Sequence, residues 1–267
     1  MIPLLRRIHG KVFAVLFAGG LLGVLAVLPY MLDLLGNLPV ERGAGPDISL
    51  PLLVGLVLLQ NGILLAAVIA IGMILSERIG LRMPLIRAWA TGEAAPNPRT
   101  ILLPGVLVGA AVGAVLVGVE ALFFLRRLPD AMHPMFEIPL WKRLLAGIVY
   151  GGITEELLMR LFLLSLVAWL LGRWWKAPDE RPTTGAFRVA IVLVAVLFGL
   201  GHLPATAAMG PLTQVLVVRA LVLNGIAGVA FGYLYWRHDL EAAMAGHMSA
   251  HVVMQVPGVM LLKAMLP

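Results

Sequence analysis

Two adjacent carboxylates and an arginine lie in a stretch of this sequence that is otherwise apolar enough to cross a membrane. They are Glu155, Glu156 and Arg160, within residues 140–172. An ionised side chain at the centre of a bilayer costs at least about 2.5–3.5 kcal/mol, so such residues need partners or a polar cavity. Because intramembrane charges usually mark functional sites, the cluster predicts a site for proton-transfer chemistry.

The two glutamates are expected to play different parts. Glu156 and Arg160 are four residues apart, which places them on one helix face where their charges neutralise each other. Glu155 points about 100° away from Glu156 on an α-helix. Its carboxylate therefore stays free to accept a proton, while Glu156 is the candidate orienting residue.

Three of the six histidines also lie within apolar segments. His202 follows Phe198 by four residues, and His247 and His251 have the i,i+4 spacing by which two imidazoles on one helix reach a common point. A lone histidine in a membrane helix more often makes an interhelical hydrogen bond. Together with the glutamate pair, however, the three histidines indicate a joint site.

These motifs, in this order on successive membrane segments, resemble those of the CPBP family of intramembrane proteases. The family includes the CAAX prenyl endopeptidases, the Abi proteins and bacteriocin-processing proteins. The resemblance is carried by Glu155-Glu156-x-x-x-Arg160, Phe198-x-x-x-His202 and His247-x-x-x-His251, and it covers about residues 140–262. The last position is more often Asn or Asp in the family, and here it is His251.

The resemblance implies an endopeptidase that cleaves a membrane-associated protein or peptide. Glu155 and His202 would hold and activate the attacking water, and His247 and His251 would face the developing oxyanion. An alternative within the family is a divalent metal such as zinc. The candidate metal ligands are then Glu155, His202, His247 and His251. The expected cofactor is therefore either none or one divalent metal ion, with a preference for the metal-free reaction.

The composition assigns the chain to the integral membrane proteins. Hydrophobic residues make up 61% of the sequence and charged residues 13%, against about 25% charged in soluble domains. The formal charge of +6 comes from basic residues clustered between apolar runs, where they determine topology. We therefore expect membrane lipid and a membrane-associated substrate as partners, and no nucleic acid. The absence of cysteine excludes a thiol nucleophile.

Seven apolar runs are each long enough to cross a bilayer, which requires about 20 residues. The predicted fold is all-α and polytopic, with seven to eight transmembrane helices in one membrane domain over residues 1–267. Residues 140–262 would form the catalytic core and residues 1–139 the N-terminal helices. An eighth helix would arise if the fourth run broke at Gly151-Gly152, or if the basic stretch 81–90 entered the interface. The runs cover residues 12–35, 50–76, 101–122, 140–172, 187–205, 212–236 and 242–262.

Basic residues also predict how the helices are oriented and packed. Twelve of the twenty Lys and Arg fall on the side that contains the N-terminus, and six fall on the other side. The positive-inside rule places the N-terminus in the cytoplasm, in a bacterial inner or plasma membrane if the family resemblance holds. Gly105, Gly109 and Gly113 are predicted to allow close packing between helices. With straight spans, His202 and His247 would differ in depth, so a tilt or break must bring them together.

The sequence is also compatible with two functions from other classes. In the first, the Glu, Arg and His side chains form a buried network or proton relay in a channel, transporter or scaffold. In the second, a protease-derived protein binds its substrate without cleaving it. Among other membrane proteases, a site-2 zinc protease would need His-Glu-x-x-His, which this sequence lacks.

Overall fold

The computed structural model of the protein describes residues Gly10–Gly36 and 49–266. The described residues form helices joined by turns, with no strand among them, which confirms the predicted all-α class. Arg6 and Arg7, which contribute to the predicted orientation, lie outside these residues. Lipid offers no hydrogen-bond partners to an exposed backbone, so apolar runs of this length must fold as helices.

Ten helices are named here in chain order. All but one have the following bounds: α1 Gly10–Gly36, α2 Leu50–Ile79, α3 Pro84–Thr91, α4 Pro98–Val119, α6 Thr184–Gly201, α7 Leu203–Ala208, α8 Gln214–His238, α9 Leu240–Val253 and α10 Val259–Met265. The remaining helix, α5, covers residues 140–171. Its α-helical ends are Leu140–Leu144 and Ser165–Leu171, and its centre is π-helical over Leu145–Glu155 and Leu157–Leu164.

Within the described residues, six helical stretches are long and apolar enough to cross a membrane. They are Gly10–Leu34, Leu50–Ile79, Pro98–Arg127, Thr184–Ala208, Gln214–His238 and Leu240–Met265. Helix α5 corresponds to the predicted fourth span. It is helical throughout, but it consists of short α-helical and π-helical pieces and is not one of these six stretches. These helices make the chain an integral, multi-pass membrane protein.

The structure does not contain the eighth span among the described residues. Helix α5 continues through Gly151 and Gly152 instead of breaking there. The basic stretch forms α3, whose eight residues rise only about 12 Å, too short for a hydrocarbon core of about 30 Å. Trp89 on this helix is 77% exposed. This placement is typical of an interfacial helix.

Helix α9, which carries His247 and His251, packs against α4, α5 and α8. Its closest neighbour is α4, whose glycines meet the α9 backbone directly. A Cβ atom added at Gly105, Gly109 or Gly113 would overlap the backbone at Ala242, Gly246 or Ala250, respectively. The structure thus confirms close packing through these glycines, and this packing fixes the position of α9 beside α5.

Besides the predicted Glu156–Arg160 pair, another ion pair lies within the membrane-spanning part of the chain. Arg219 on α8 places its Nε 2.8 Å and 3.0 Å from the two carboxylate oxygens of Glu120, just beyond α4. The Arg219 side chain is 17% exposed and that of Glu120 is 5% exposed. The two residues are 99 positions apart, so no local spacing predicts their contact. Their pairing neutralises two charges that would otherwise be isolated near lipid.

We expect Gly109→Ala to destabilise the protein, because a methyl group there must push α4 away from the α9 backbone at Gly246. The expected loss is about 1–3 kcal/mol in the free energy of unfolding, measured by thermal or denaturant unfolding in detergent. Gly118→Ala on the same helix is the matched control, since a Cβ atom there meets no atom within 4 Å. Equal stability of the two variants would contradict the close packing.

Candidate active site

Glu156 and Arg160 form a buried ion pair on α5, as their spacing predicts. Arg160 Nη1 lies 3.0 Å from Glu156 Oε1, and the two side chains are 1% and 0% exposed. The guanidinium also lies over the rings of Phe198 and Phe231, with its central carbon 5.1 Å and 5.5 Å from their centroids. Desolvated cation–π contacts of this kind are worth about 2 kcal/mol. Charge pairing and aromatic faces together compensate for burying the arginine.

Glu156 also holds the imidazole of His247. His247 Nδ1 lies 2.7 Å from Glu156 Oε1, and the ring stacks on Phe231 with 4.9 Å between centroids. A carboxylate paired with arginine can only accept hydrogen bonds, so Nδ1–H must be the donor. In a neutral imidazole this leaves the lone pair on Nε2. Glu156 therefore sets both the orientation and the tautomer of His247.

Glu155 faces the other nitrogen of the same imidazole. Its Oε2 lies 3.7 Å from His247 Nε2, and its side chain is 17% exposed, whereas that of Glu156 is fully buried. The distance is too long for a direct hydrogen bond and suits a bridging oxygen atom. The two glutamates therefore differ as expected, because Glu156 is neutralised by Arg160 and Glu155 keeps an accessible oxygen.

His251 stacks on His247 and faces the same part of α5. The two rings are 5.1 Å apart between centroids and inclined by 15°. A Cβ atom added at Gly151 would stand 3.0 Å from His247 Nε2 and 3.3 Å from His251 Nε2. His251 Nδ1 has no hydrogen-bond partner among the described residues, and it lies close to Gly147. Gly147 and Gly151 thus provide the space in which the two imidazoles lie against α5.

His202 joins this group through Phe198. Its Nδ1 lies 2.8 Å from the carbonyl oxygen of Phe198, and because that oxygen only accepts, a neutral His202 carries its lone pair on Nε2. The ring of Phe198 contacts both imidazoles, at 4.7 Å from His202 and 6.3 Å from His247. His202 and His247 therefore contact the same aromatic ring.

The structure thus brings together the site residues that the sequence predicts, and it adds three that the sequence does not single out. Phe231, Gly147 and Gly151 carry no polar side chain, so no motif marks them. Gly151 does precede the glutamate pair by four residues, which places it one helical turn away from Glu155. That spacing is the feature of the sequence that places Gly151 near the site.

A metal ion at this site would need several carboxylate and imidazole donors placed around one point. Within the described ranges, no group of three or more His, Asp or Glu side chains is placed to hold a metal ion, and the chain has no cysteine. His247 Nδ1 and His202 Nδ1 are already bonded to Glu156 and to the Phe198 carbonyl. These bonds engage only Nδ1, so His247 and His202 each keep an Nε2 lone pair, the atom by which such an imidazole would bind a metal ion. The choice between no cofactor and one divalent metal at Glu155, His202, His247 and His251 therefore stays a prediction.

Comparison with known proteins found a family match in the segment that carries these residues. Residues 137–253 match the family model described as type II CAAX prenyl endopeptidase, Rce1-like. Comparisons with curated proteins and with solved structures gave no significant match. The matched segment extends from just before α5 to the end of α9, so it contains all six predicted site residues. The segment that carries the site therefore matches the model of the Rce1-like type II CAAX prenyl endopeptidases, as the resemblance to the wider CPBP family predicts.

Proposed function

We propose that this protein is an intramembrane endopeptidase in which Glu155 activates a water molecule for attack on a peptide bond of a membrane-associated substrate. The observation that carries the proposal is the 3.7 Å separation between Glu155 Oε2 and His247 Nε2. Both atoms are hydrogen-bond acceptors when Glu155 is ionised and His247 is neutral. A water between them donates one O–H to each, and its own lone pair is left for the scissile carbonyl.

The first step is general-base catalysis. Water oxygen forms a bond to the carbonyl carbon, the carbonyl π electrons move to its oxygen, and Glu155 takes one water proton. In the second step the oxyanion electron pair re-forms the C=O bond, the C–N bond breaks with its electrons on nitrogen, and Glu155 returns the proton to the leaving amine. The Nε2 lone pair of His202 is the alternative acceptor for the second O–H of the water, because a water has only two protons to donate. The family resemblance assigns that role to His202.

The oxyanion needs a hydrogen-bond donor that is already in place. His251 suits this role, because a neutral ring with its proton on Nε2 directs that N–H toward the same space beside Gly151 as His247. His247 Nε2 faces Glu155 and accepts from the water in this scheme. The family resemblance assigns both His247 and His251 to the oxyanion. Here only His251 has that role, and His247 binds the water.

The direct test is cleavage of a fluorogenic membrane peptide by the purified protein in detergent or nanodiscs. The family description names CAAX prenyl endopeptidases, so the peptide is compared with and without a prenyl group on the cysteine of a C-terminal Cys-a-a-X sequence. Cleavage of either peptide supports the proposal. Binding of both without cleavage would favour a substrate-binding protein, and the absence of binding and cleavage would favour a transporter or scaffold.

We expect Glu155→Gln to lower the cleavage rate by about 10²–10⁴-fold, the usual contribution of a general base. Its melting temperature should stay near that of the wild type, because Glu155 neutralises no buried charge. Glu156→Gln should lower both activity and stability, since Arg160 then loses its partner at a cost of about 3–5 kcal/mol. Unchanged melting in both variants would contradict the separate roles of the two carboxylates.

We expect Gly151→Ala to reduce turnover by about 10²-fold while the protein still folds. The added methyl group would occupy the space next to His247 Nε2 and His251 Nε2, and a displacement of about 1 Å in a catalytic site costs about this much. Gly201→Ala, adjacent to His202, is the control, because a Cβ atom there meets nothing within 4 Å. Similar activity in the two variants would argue against a reaction centre beside Gly151.

We expect His251→Asn to keep much of the activity, because the amide supplies an N–H donor. His251→Leu removes the donor and should lower the rate by about 10²–10³-fold, the loss seen when one oxyanion donor is deleted. Rates of both variants are measured with and without a chelator. Chelator-sensitive wild-type activity that zinc restores, together with an inactive Asn variant, would replace the metal-free mechanism with a zinc-dependent one.

A further inference from the structure

A cavity of about 560 Å³ opens at the end of the helix bundle where α1 begins and α2 ends. Its lining also includes the loop before α3, the end of α8 and the residue that joins α8 to α9. Neighbouring membrane helices run in alternating directions, so these chain ends lie together at one membrane face. This is the face with most of the basic residues, which the sequence predicts to be cytoplasmic.

Four arginines line this cavity against two acidic residues. Arg82 is paired with Asp239 at 3.0 Å, and the second acid is Glu77. Arg181 lies 3.8 Å from Asp179, and this pair is largely exposed, so solvent weakens it. The fourth arginine, Arg237, stacks on Trp236 at 5.1 Å. Arg87 lies 3.4 Å from Glu93 in another solvent-exposed pair. The lining itself therefore holds two more arginines than carboxylates, and the acids that pair with Arg87 and Arg181 lie outside it. The lining arginines are Arg82, Arg87, Arg181 and Arg237.

The rest of the lining is mainly apolar, with Val12, Met73, Leu81, Met83 and Trp236 as members. Contact with such a surface does not stabilise a small inorganic anion, whereas an amphiphile gains free energy by burying its apolar part there. The surrounding surface also suits a membrane interface. Three exposed tryptophans lie in the connecting segments on this side, and aromatic residues of this kind are enriched at headgroup depth. They are Trp89, Trp174 and Trp175.

The floor of the cavity is held rigid by contacts between the loop before α3 and the start of α9. Besides the Arg82–Asp239 pair, Leu240 N donates to the Arg82 carbonyl at 3.1 Å, and Ile86 N donates to Glu241 Oε1 at 2.9 Å. Asp239 has a φ of 75°, a conformation that is strained for a residue other than glycine and must be held by its neighbours. A site built in this way needs little ordering when a ligand binds.

This cavity is separate from the candidate active site. Between the two lies a buried polar layer in which Ser165 Oγ and Tyr235 Oη are 3.2 Å apart. Ser76, which lines the cavity, is itself fully buried, and Tyr235 is 1% exposed. No residue of the Glu155, Glu156, Arg160 and His247 group lines the cavity. A ligand here would therefore not compete directly with a peptide at the active site.

We propose that this cavity binds a phosphate-bearing anion, the headgroup of an anionic membrane phospholipid. Arg181 and Arg237 would contact the phosphate, and the apolar wall would take the glycerol and the first part of the acyl chains. Basic pockets between membrane helices on the side facing anionic lipid recognise such headgroups. The volume lies within the range of known ligand sites, about 300–1,000 Å³.

The test measures lipid binding and not peptide cleavage, so it is independent of the proposed protease activity. The purified full-length protein is titrated with phosphatidylglycerol or phosphatidylcholine in detergent, and bound lipid is counted by native mass spectrometry. A third arm uses inorganic phosphate, read as a shift in melting temperature. We expect saturable binding of phosphatidylglycerol, at least tenfold tighter than that of phosphatidylcholine, and no response to phosphate alone.

The double variant Arg181→Gln/Arg237→Gln should bind phosphatidylglycerol about tenfold or more weakly, because each lost charge-assisted hydrogen bond is worth about one order of magnitude. Arg78→Gln is the matched control, since Arg78 is exposed at the end of α2 but does not line the cavity. Equal affinity in the double variant and the wild type would overturn the proposal. An arginine-dependent response to inorganic phosphate without lipid binding would also overturn it.

Discussion

The burial of Arg160 within the membrane is the constraint on which the candidate site depends. Its guanidinium is almost wholly withdrawn from solvent and must be neutralised where it stands. Glu156 supplies the charge from the same helix, and Phe198 and Phe231 supply aromatic faces from α6 and α8. Because the oxygen that pairs with Arg160 also accepts from His247, the ion pair that makes burial possible also orients the His247 imidazole.

The site also depends on how closely the helices approach one another. Glycines on α4 let the α9 backbone come within direct contact, and the glycines of α5 leave room for the rings of His247 and His251. In a membrane, helices gain little from hydrophobic association, so packing and polar contacts must hold them together. The same small residues that stabilise the bundle thus define the distance between α5 and α9, and with it the separation of Glu155 and His247.

Polar side chains in the described part of this protein form three separate groups. The active-site group lies within the bundle, the Ser165–Tyr235 contact lies beside it, and the arginine-lined cavity opens at the basic face. Glu156 pairs with Arg160 in the first group, and Asp239 pairs with Arg82 in the third. Chemistry on the substrate and contact with lipid headgroups can therefore take place on one small domain without sharing residues.

The sequence by itself determined the membrane class, the helical spans, the Glu156–Arg160 pair and the set of candidate site residues. All of these follow from local quantities, namely run length, residue type and i,i+4 spacing. Only the tertiary structure decided that Glu156 bonds His247, 91 positions away, and that Glu120 pairs with Arg219. It also decided that α5 is π-helical around the site and does not break at Gly151. The physical reason is that these features depend on which helix faces meet, and helical spacing within one segment carries no information about the neighbour it packs against.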